Sequence, residues 1–366
     1  MELIKPGTHI DFVGRRKVAY AFSVSMTIGT IILLMWRGGP NYGVDFAGGT
    51  IIQVRLEKKQ TPSEIKEALK VVRLEDSIVQ EFAGEAESEY LIRAKKMDAD
   101  FAGLDEKVHQ ALTARFGKGV DIRRVEMVGP QVGEDLRQKA LFAIFYSILF
   151  MAVYISGRFE LKWTMSIIMA LCLCVATYAA SKFGVKVTWL IILALLVTLG
   201  LCWLLRLKYA LGAIIALIHD VTITVGAFAL TDREISLSTI AALLTIVGYS
   251  LNDTIIIFDR IRENLPRSRR QSLEQLINDS VNQTLSRTIL TSGTTLIVVV
   301  ALFLLGGGVI HDFAFALMVG IVTGTYSTVY VASPILLIWK EKSPQAVPAK
   351  KSRRSRLSGP KQVADP

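Results

Sequence analysis

The sequence has few cysteines and few charged residues for its length. Its 366 residues include three cysteines, all inside hydrophobic runs, and only 20% of the residues are charged. The cysteine positions indicate neither a disulfide framework nor a C-x-x-C metal site. The catalytic patterns H-E-x-x-H and G-x-S-x-G are absent, as is a glycine-rich phosphate loop. We therefore expect no enzyme of these classes, no cofactor and no metal.

Apolar residues are abundant and clustered. Hydrophobic residues make up 51% of the chain, and nearly uncharged runs of about 18 or more residues recur, the length that crosses a bilayer as a helix. The net charge of +10 arises from Lys and Arg in short loops and tails. These positions indicate membrane topology rather than binding of nucleic acid. The composition predicts a polytopic membrane protein.

Eight runs are predicted to span the membrane. They are Val18 to Trp36, Ala140 to Ile155, Trp163 to Ser181, Val187 to Leu205, Tyr209 to Leu230, Ile235 to Phe258, Thr288 to Leu305 and Phe313 to Trp339. The first is interpreted as a retained signal anchor, TM1 at 18–36, because it lacks a convincing small-residue cleavage site. Basic residues before it, in the segment 1–17, and in the loop Arg260 to Arg270 place both termini in the cytoplasm. Lys182 and Lys186 oppose this orientation locally.

The segment 37–137 has the composition of a soluble domain and is expected on the periplasmic side of a bacterial inner membrane. Thr61-Pro62-Ser63-Glu64 is a capping box that predicts a helix start. The further predicted elements are strands at Thr50 to Val54, Ser77 to Phe82, Tyr90 to Ala94 and Val120 to Val128, and a helix at Leu104 to Phe116. The order β-α-β-β-α-β is that of a ferredoxin-like α+β domain. Residues 138–339 are expected to form the transmembrane bundle, and 340–366 a basic, disordered cytoplasmic tail that touches anionic lipid.

Charged residues inside predicted spans require an explanation, since the free energy of inserting one at the bilayer centre is unfavourable by about 2.5 to 3.5 kcal/mol on insertion scales. One span carries His219-Asp220 and another Asn252-Asp253. Arg287 begins a third span and precedes the hydroxyl residues Thr288, Thr291, Ser292, Thr294 and Thr295. The functional hypothesis makes Asp253 a proton-carrying carboxylate that Arg287 keeps ionised until a conformational change separates them.

The residues alone leave alternatives open for each of these groups. Asp253 could equally make a structural hydrogen bond between helices. Arg287 could snorkel to the cytoplasmic surface, and His219-Asp220 could lie close to an interface in a structural role. Coupling to sodium rather than protons would need several oxygen ligands, and Asn252, Ser250 and Thr254 are close to Asp253 in sequence.

Several motifs resemble the SecF family of bacterial translocase subunits. They are Gly43 to Thr50, Val128 to Gly133, Ala210 to Asp220, Gly248 to Thr254, Asp259 to Asn264 and Arg287 to Thr295, and they cover nearly the whole chain in order. The resemblance implies an all-α polytopic bundle similar to resistance-nodulation-division (RND) transporters. It also implies the partners SecD, the SecYEG channel and a translocating preprotein, with YajC as a further partner, and use of the proton-motive force to complete preprotein export.

The same resemblance implies roles for individual residues. Asp253, Arg287 and Asn252 match the proton-coupling motifs. Accessory intramembrane candidates are Asp220, His219, Thr291 and Thr294. The motif residues Gly43, Asp45, Gly48, Gly49, Gly129 and Pro130 are expected to form the connections through which the bundle swings the periplasmic domain, which would hold an emerging chain.

One feature departs from the SecF family pattern. An additional hydrophobic hairpin, 163–205, separates Arg158-Phe159-Glu160 from Ala210 to Ala213 and is expected at the periphery of the bundle. Two crossings leave the orientation of later spans unchanged. Two other functions stay open at this point: a small-molecule exporter of the RND type, for which a single domain of about 100 residues is small, and a passive scaffold for the translocation channel.

Overall fold

The computed structural model describes residues 9–74, 77–82, 88–94, 103–183, 185–266 and 271–338. The predicted tail at 340–366 lies outside the described residues, as do residues 1–8 of the predicted N-terminal segment and 267–270 of the predicted basic loop.

The first long helix leads into a small sheet domain. The elements are α1 (Arg16–Trp36), α2 (Val44–Ala47), β1 (Gly49–Leu56), α3 (Pro62–Leu69) with a 3-10 turn (Lys70–Val72), β2 (Ile78–Phe82), β3 (Glu89–Ala94), α4 (Leu104–Phe116) and β4 (Val120–Val128). The four strands form one antiparallel sheet in the order β2-β3-β1-β4. This is the ferredoxin-like arrangement, as predicted.

Helices α3 and α4 cover one face of this sheet. Their buried side chains Ile65, Leu69, Val108 and Leu112 pack against Ile52 of β1 in a single core. In the segment between Gly43 and Thr50, residues Val44–Ala47 form the one-turn helix α2, and strand β1 begins only at Gly49.

The remaining elements form a helical bundle. They are α5 (Pro130–Glu160), α6 (Trp163–Lys182), α7 (Val187–Leu204), α8 (Lys208–Leu230), α9 (Leu237–Asn264), α10 (Leu273–Leu305) and α11 (Gly307–Ser327), then a π-helical segment (Thr328–Ala332), α12 (Ser333–Ile335) and a 3-10 turn (Leu336–Ile338). Within the described part of the chain, eight helices are long and apolar enough to cross a membrane. This number agrees with the sequence prediction.

Two helices extend well beyond the predicted spans. Helix α10 begins at Leu273 rather than near Thr288, because Ser272 and Gln275 form a capping box ahead of it. Its 33 residues measure about 50 Å, more than the hydrocarbon thickness of about 30 Å. Helix α5 begins at Pro130, inside the segment assigned to the soluble domain, because proline at the first helical position favours a start there.

The additional hairpin α6–α7 packs against α5 and α8. Large apolar side chains on both helices point away from the bundle, among them Ile168, Leu171, Val175, Trp189, Leu193 and Leu196. Such a surface needs an apolar surrounding, which lipid provides. The hairpin therefore adds to the edge of the bundle without entering its centre.

The bundle has two distinct ends. The sheet domain lies at the end where α8 joins α9, and we call this the domain end. There Arg37 after α1 forms an ion pair with Asp232 at 2.7 Å. At the opposite end Arg16 pairs with Glu274 at 2.7 Å and Arg158 pairs with Asp259 at 2.5 Å.

Candidate functional site: two buried carboxylates and a junction with the sheet domain

Asp253 lies in the interior of the bundle, with 3% of its surface exposed. Ser292 on α10 donates a hydrogen bond from Oγ to Asp253 Oδ2 at 3.1 Å. Thr325 on α11 in turn donates to Ser292 Oγ at 2.9 Å. One carboxylate on α9 is thus connected by two hydroxyl groups to both neighbouring helices.

Asn252 and Arg287, the predicted partners of Asp253, have exposed side chains. Neighbouring residues on a helix are about 100° apart, and Arg287 precedes Ser292 by five positions, so it points about 140° away from it. Within the described residues no hydrogen bond or ion pair joins Arg287 to Asp253. The hypothesised Asp253–Arg287 pair therefore makes no direct ion pair in this conformation, although the charge of Arg287 acts on the Asp253 carboxyl from a distance.

The hydroxyl run on α10 divides into two groups. Thr291 and Thr294 donate to the backbone of their own helix, to the carbonyls of Arg287 and Leu290 at 3.0 and 2.9 Å. Ser292 alone reaches Asp253. Sequence analysis left Ser292 out of the site, although it continues the buried face Val281, Leu285, Thr288 at helical spacing.

The second buried carboxylate is Asp220 on α8, which is completely buried. Ser250 on α9 and Ser327 on α11 donate to its Oδ2 at 2.6 and 2.9 Å, and His219 Nδ1 lies 2.9 Å from its Oδ1. Asp220 is ten residues from the end of α8 at Leu230, about 15 Å along the axis. This mid-helix depth argues against the alternative that placed the pair close to an interface.

Oxygen atoms expected around a sodium ion at Asp253 are directed elsewhere. Ser250 donates to Asp220, Thr254 Oγ1 lies 2.9 Å from Thr328 Oγ1, and Asn252 is exposed. Thr328 begins the π-helical segment, a rare helix type that is frequent at functional sites. The surroundings of Asp253 therefore fit a carboxylate that exchanges a proton better than a site with many oxygen ligands.

The glycine motif before β1 forms the junction between the sheet domain and α5. Gly48 has φ +77°, and a Cβ atom there would lie 2.9 Å from the Cα of Pro130. A Cβ atom on Gly133 would lie 2.9 Å from the carbonyl oxygen of Phe46. Backbone therefore packs directly on backbone at this junction, and only glycine fits. Gly49 starts β1, and Gly129 and Pro130 start α5.

The same motif also binds the loop between α8 and α9. The amide of Gly43 donates to the Ile235 carbonyl at 2.9 Å, and Asp45 Oδ2 accepts from the Leu237 amide at 2.9 Å. Tyr42 forms an isolated bridge with Ile235, and burial raises the pKa of the Tyr42 hydroxyl while the nearby Arg137 lowers it. The predicted motif residues are thus brought together at one junction.

Charged residues of the α8–α9 loop make two further contacts near this junction, one with the helical bundle and one with the sheet domain. Arg233 forms an ion pair with Asp312 of α11 at 2.6 Å and stacks over Phe315 at 4.5 Å. Glu234, 3% exposed, faces Arg93 of β3 at 3.5 Å. One short loop therefore contacts both the sheet domain and the helix that carries Thr325 and Ser327.

Comparisons with known proteins agree with this architecture. The family model "Protein export membrane protein SecD/SecF, C-terminal" matches residues 108–203 and 201–342, and the "SecD/SecF GG Motif" model matches 34–60. The protein translocase subunit SecF of Magnetococcus marinus is 41% identical over 95% of this chain and 98% of its own length. The chain belongs to the SecD/SecF family. The SecF protein of Desulfurispirillum indicum is 40% identical over 91% of this chain and 92% of its own length.

A solved structure of the SecD/SecF family supports the fold. The crystal structure of SecDF, a translocon-associated membrane protein from Thermus thermophilus, is 30% identical with a TM-score of 0.63. The likeness covers 91% of this chain and 39% of the SecDF chain, so this chain spans about two fifths of that protein's length. The predicted fold class, an RND-like helical bundle with one ferredoxin-like domain, is confirmed.

Proposed function

We propose that this chain is a SecF subunit of the bacterial Sec translocase and that, with SecD, it uses the proton-motive force to complete preprotein translocation through SecYEG. The observation that carries the proposal is the position of Asp253, buried among three helices and held by Ser292 and Thr325. Binding of a proton at this carboxylate changes the contacts of all three helices.

The chemistry of Asp253 supplies two states. The ionised carboxylate accepts the Ser292 hydrogen bond, whereas a protonated carboxyl is itself a donor. When the proton binds at Oδ2, Ser292 accepts a hydrogen bond from Asp253 where it now donates one, and its own proton must turn elsewhere. The packing of α9 against α10 and α11 changes with this contact. Moving one charge through the membrane field yields about 2.3 kcal/mol per 100 mV, which shifts a two-state equilibrium by well over tenfold.

Helix α11 is suited to transmit this change. Thr325 lies near its C-terminal end, and its end at the sheet domain carries Asp312, which pairs with Arg233. The adjoining Glu234 faces Arg93 in the sheet. Movement of α11 therefore acts on the sheet domain through two consecutive residues of a single loop.

Exposed polar groups at the depth of the bundle support a partner subunit. Asn252 and Arg287 would face lipid if the chain were alone, and polar side chains on the lipid side of a span lack hydrogen-bond partners. Helix α10 is also among the least buried of the candidate spans. We assign this face to the contact with SecD and keep Arg287 in the proton path through the joined complex.

The proposed orientation follows from the basic residues at the end opposite the sheet domain. Arg15, Arg16 and Lys17 lie there together with Arg260 and Arg262 at the end of α9, which assigns that end to the cytoplasm and the sheet domain to the periplasm. A cleft of about 440 Å³ separates the open sheet face at Gln53 from the start of α9. It gives the domain room to move and faces the compartment where a preprotein emerges. SecYEG and YajC are the further proposed partners.

The test is preprotein export into inverted membrane vesicles, with a proton gradient imposed or collapsed after ATP has been removed. Wild type should respond to the gradient, and Asp253→Asn, assembled at the same level with SecD, should not. The matched control Asp279→Asn removes a carboxylate on α10 outside the buried cluster and should respond as wild type does. An equal response of Asp253→Asn and wild type would place the proton site elsewhere and leave a scaffold role.

A further inference from the structure

His219 has a buried ring nitrogen with no hydrogen-bond partner among the described residues. The residue is 6% exposed, and the unpartnered atom is Nε2. A buried polar atom without a partner is uncommon and costs free energy, since its desolvation is not offset. The role proposed for Asp253 makes no use of this atom.

Asp220 determines the state of the other ring nitrogen. Its Oδ2 accepts hydrogen bonds from two serine hydroxyls, Ser250 and Ser327, and hydrogen bonds donated to a carboxylate favour its ionised form. When Asp220 is ionised, Oδ1 is an acceptor as well, and the proton of the 2.9 Å contact lies on His219 Nδ1. In neutral histidine the remaining nitrogen, Nε2, is therefore an unprotonated base.

The surroundings balance the charge that a second proton would bring. Protonation of Nε2 makes an imidazolium that is paired with the Asp220 carboxylate, and the two serines satisfy that carboxylate further. Tyr326 of α11 stacks on the His219 ring with centroids 6.1 Å apart. Its hydroxyl donates to the Ala19 carbonyl and accepts from Ser23 on α1. Within the described residues, neither member of the pair forms another ion pair.

We propose that His219 Nε2 is a second proton-binding site of the membrane bundle, with Asp220 as the group that fixes its tautomer and balances its charge. The site extends the proposed ion-coupled function but stands apart from Asp253. It uses α8 rather than α10, and it meets α11 at Ser327, directly before the π-helical segment. Uptake of a proton there acts on α11, the helix whose Thr325 contacts Ser292 next to Asp253.

The test is a titration of the full chain in lipid vesicles by ¹⁵N nuclear magnetic resonance with labelled histidine. The chain has four histidines, and a variant with His9, His109 and His311 replaced by Asn retains only His219. We expect its Nδ1 to stay protonated between about pH 5 and pH 8 while Nε2 gains a proton as the pH falls. The wild-type spectrum should contain the same resonance, which guards against misfolding of the variant.

Two further variants separate the possible results. Asp220→Asn should prevent Nε2 from gaining a proton in this pH range, because the balancing charge is lost, and Asp253→Asn should leave the titration unchanged. If Nε2 is protonated at every pH in this range, or at none, the proposal is wrong. Since the titration does not measure export, its failure would leave the role of Asp253 intact, and a failed export assay would leave the titration intact.

Discussion

At the scale of single residues, the neighbours of Asp253 matter more than its own identity. An aspartate inside a helix bundle can serve as a structural hydrogen-bond partner or as a proton carrier. Here its contact is a serine that also accepts a hydrogen bond from a third helix. A hydroxyl group can donate or accept after a small rotation, so this contact can follow a change of protonation. A fixed positive charge, such as that of an arginine, can only donate and could not follow the change in this way.

Replacing Ser292 by Ala should weaken coupling to the proton gradient. The variant removes a hydrogen bond to a charged group, worth about 1.5 to 3 kcal/mol, so gradient-driven export should fall by about tenfold or more. Thr294→Ala is the matched control, because Thr294 is exposed and bonds only to its own helix. Export that falls equally in the two variants would argue against a specific role for Ser292.

The sequence predicted some members of the site and missed others for a physical reason. Asp253 and Asp220 were identifiable because ionisable residues inside apolar runs are costly. Ser327 and Thr325 were not, since hydroxyl residues are common in membrane helices and bond to their own backbone at little cost. Which hydroxyl reaches a neighbouring helix depends on the rotation of each helix, and packing determines that rotation.

At the scale of elements, the junction before α5 depends on glycine. Gly48→Ala should destabilise the junction by about 1 to 3 kcal/mol, because its backbone conformation is strained for any other residue and its Cβ would meet Pro130. Gly129→Ala is the control, since nothing lies within 4 Å of a Cβ there. Thermal unfolding of the purified chain in detergent should show a lower midpoint for Gly48→Ala only. Equal midpoints would contradict the close packing described above.

Helix α3 of the sheet domain should respond to pH through its capping box. Hydrogen bonds from the Thr61 backbone and side chain lower the pKa of Glu64. A lowered pKa in the folded state means that the stabilisation is present above the unfolded pKa of Glu and is lost as pH falls through the folded value. Amide exchange in α3, corrected for intrinsic rates, should therefore accelerate on acidification, and Glu64→Gln should remove this pH dependence. An unchanged pH dependence in that variant would contradict the assignment.

Element boundaries were predictable where a local signal was strong. The capping box at Thr61 gave the correct start of α3, and β4 spans the predicted residues Val120–Val128. Helices α5 and α10 were predicted too short because hydropathy marks only the part of a helix that lies in lipid. Their extensions carry charged residues and continue past the membrane boundary, which a search for apolar runs cannot detect.

At the scale of the whole molecule, the sequence predicted the fold but not the contacts that connect the helical bundle with the sheet domain. The order of strands and spans follows from local patterns. The contacts of Arg233 with Asp312 and of Glu234 with Arg93 join residues far apart in the chain, and no local pattern indicates them. These contacts make the loop between α8 and α9 the connection between the buried carboxylates and the sheet domain.

The central claim is that protonation at Asp253 moves the sheet domain. The most direct measurement is the distance between spin labels at Lys107→Cys on α4 and Leu230→Cys at the end of α8, in vesicles that contain this chain and SecD. Cys172, Cys174 and Cys202 are first replaced by Ala so that only the new thiols react. We expect a proton gradient to shift the distance distribution in this background and Asp253→Asn to abolish the shift. A shift of equal size with and without Asp253→Asn, or no shift in either while export still responds to the gradient, would show that protonation of Asp253 does not move the sheet domain.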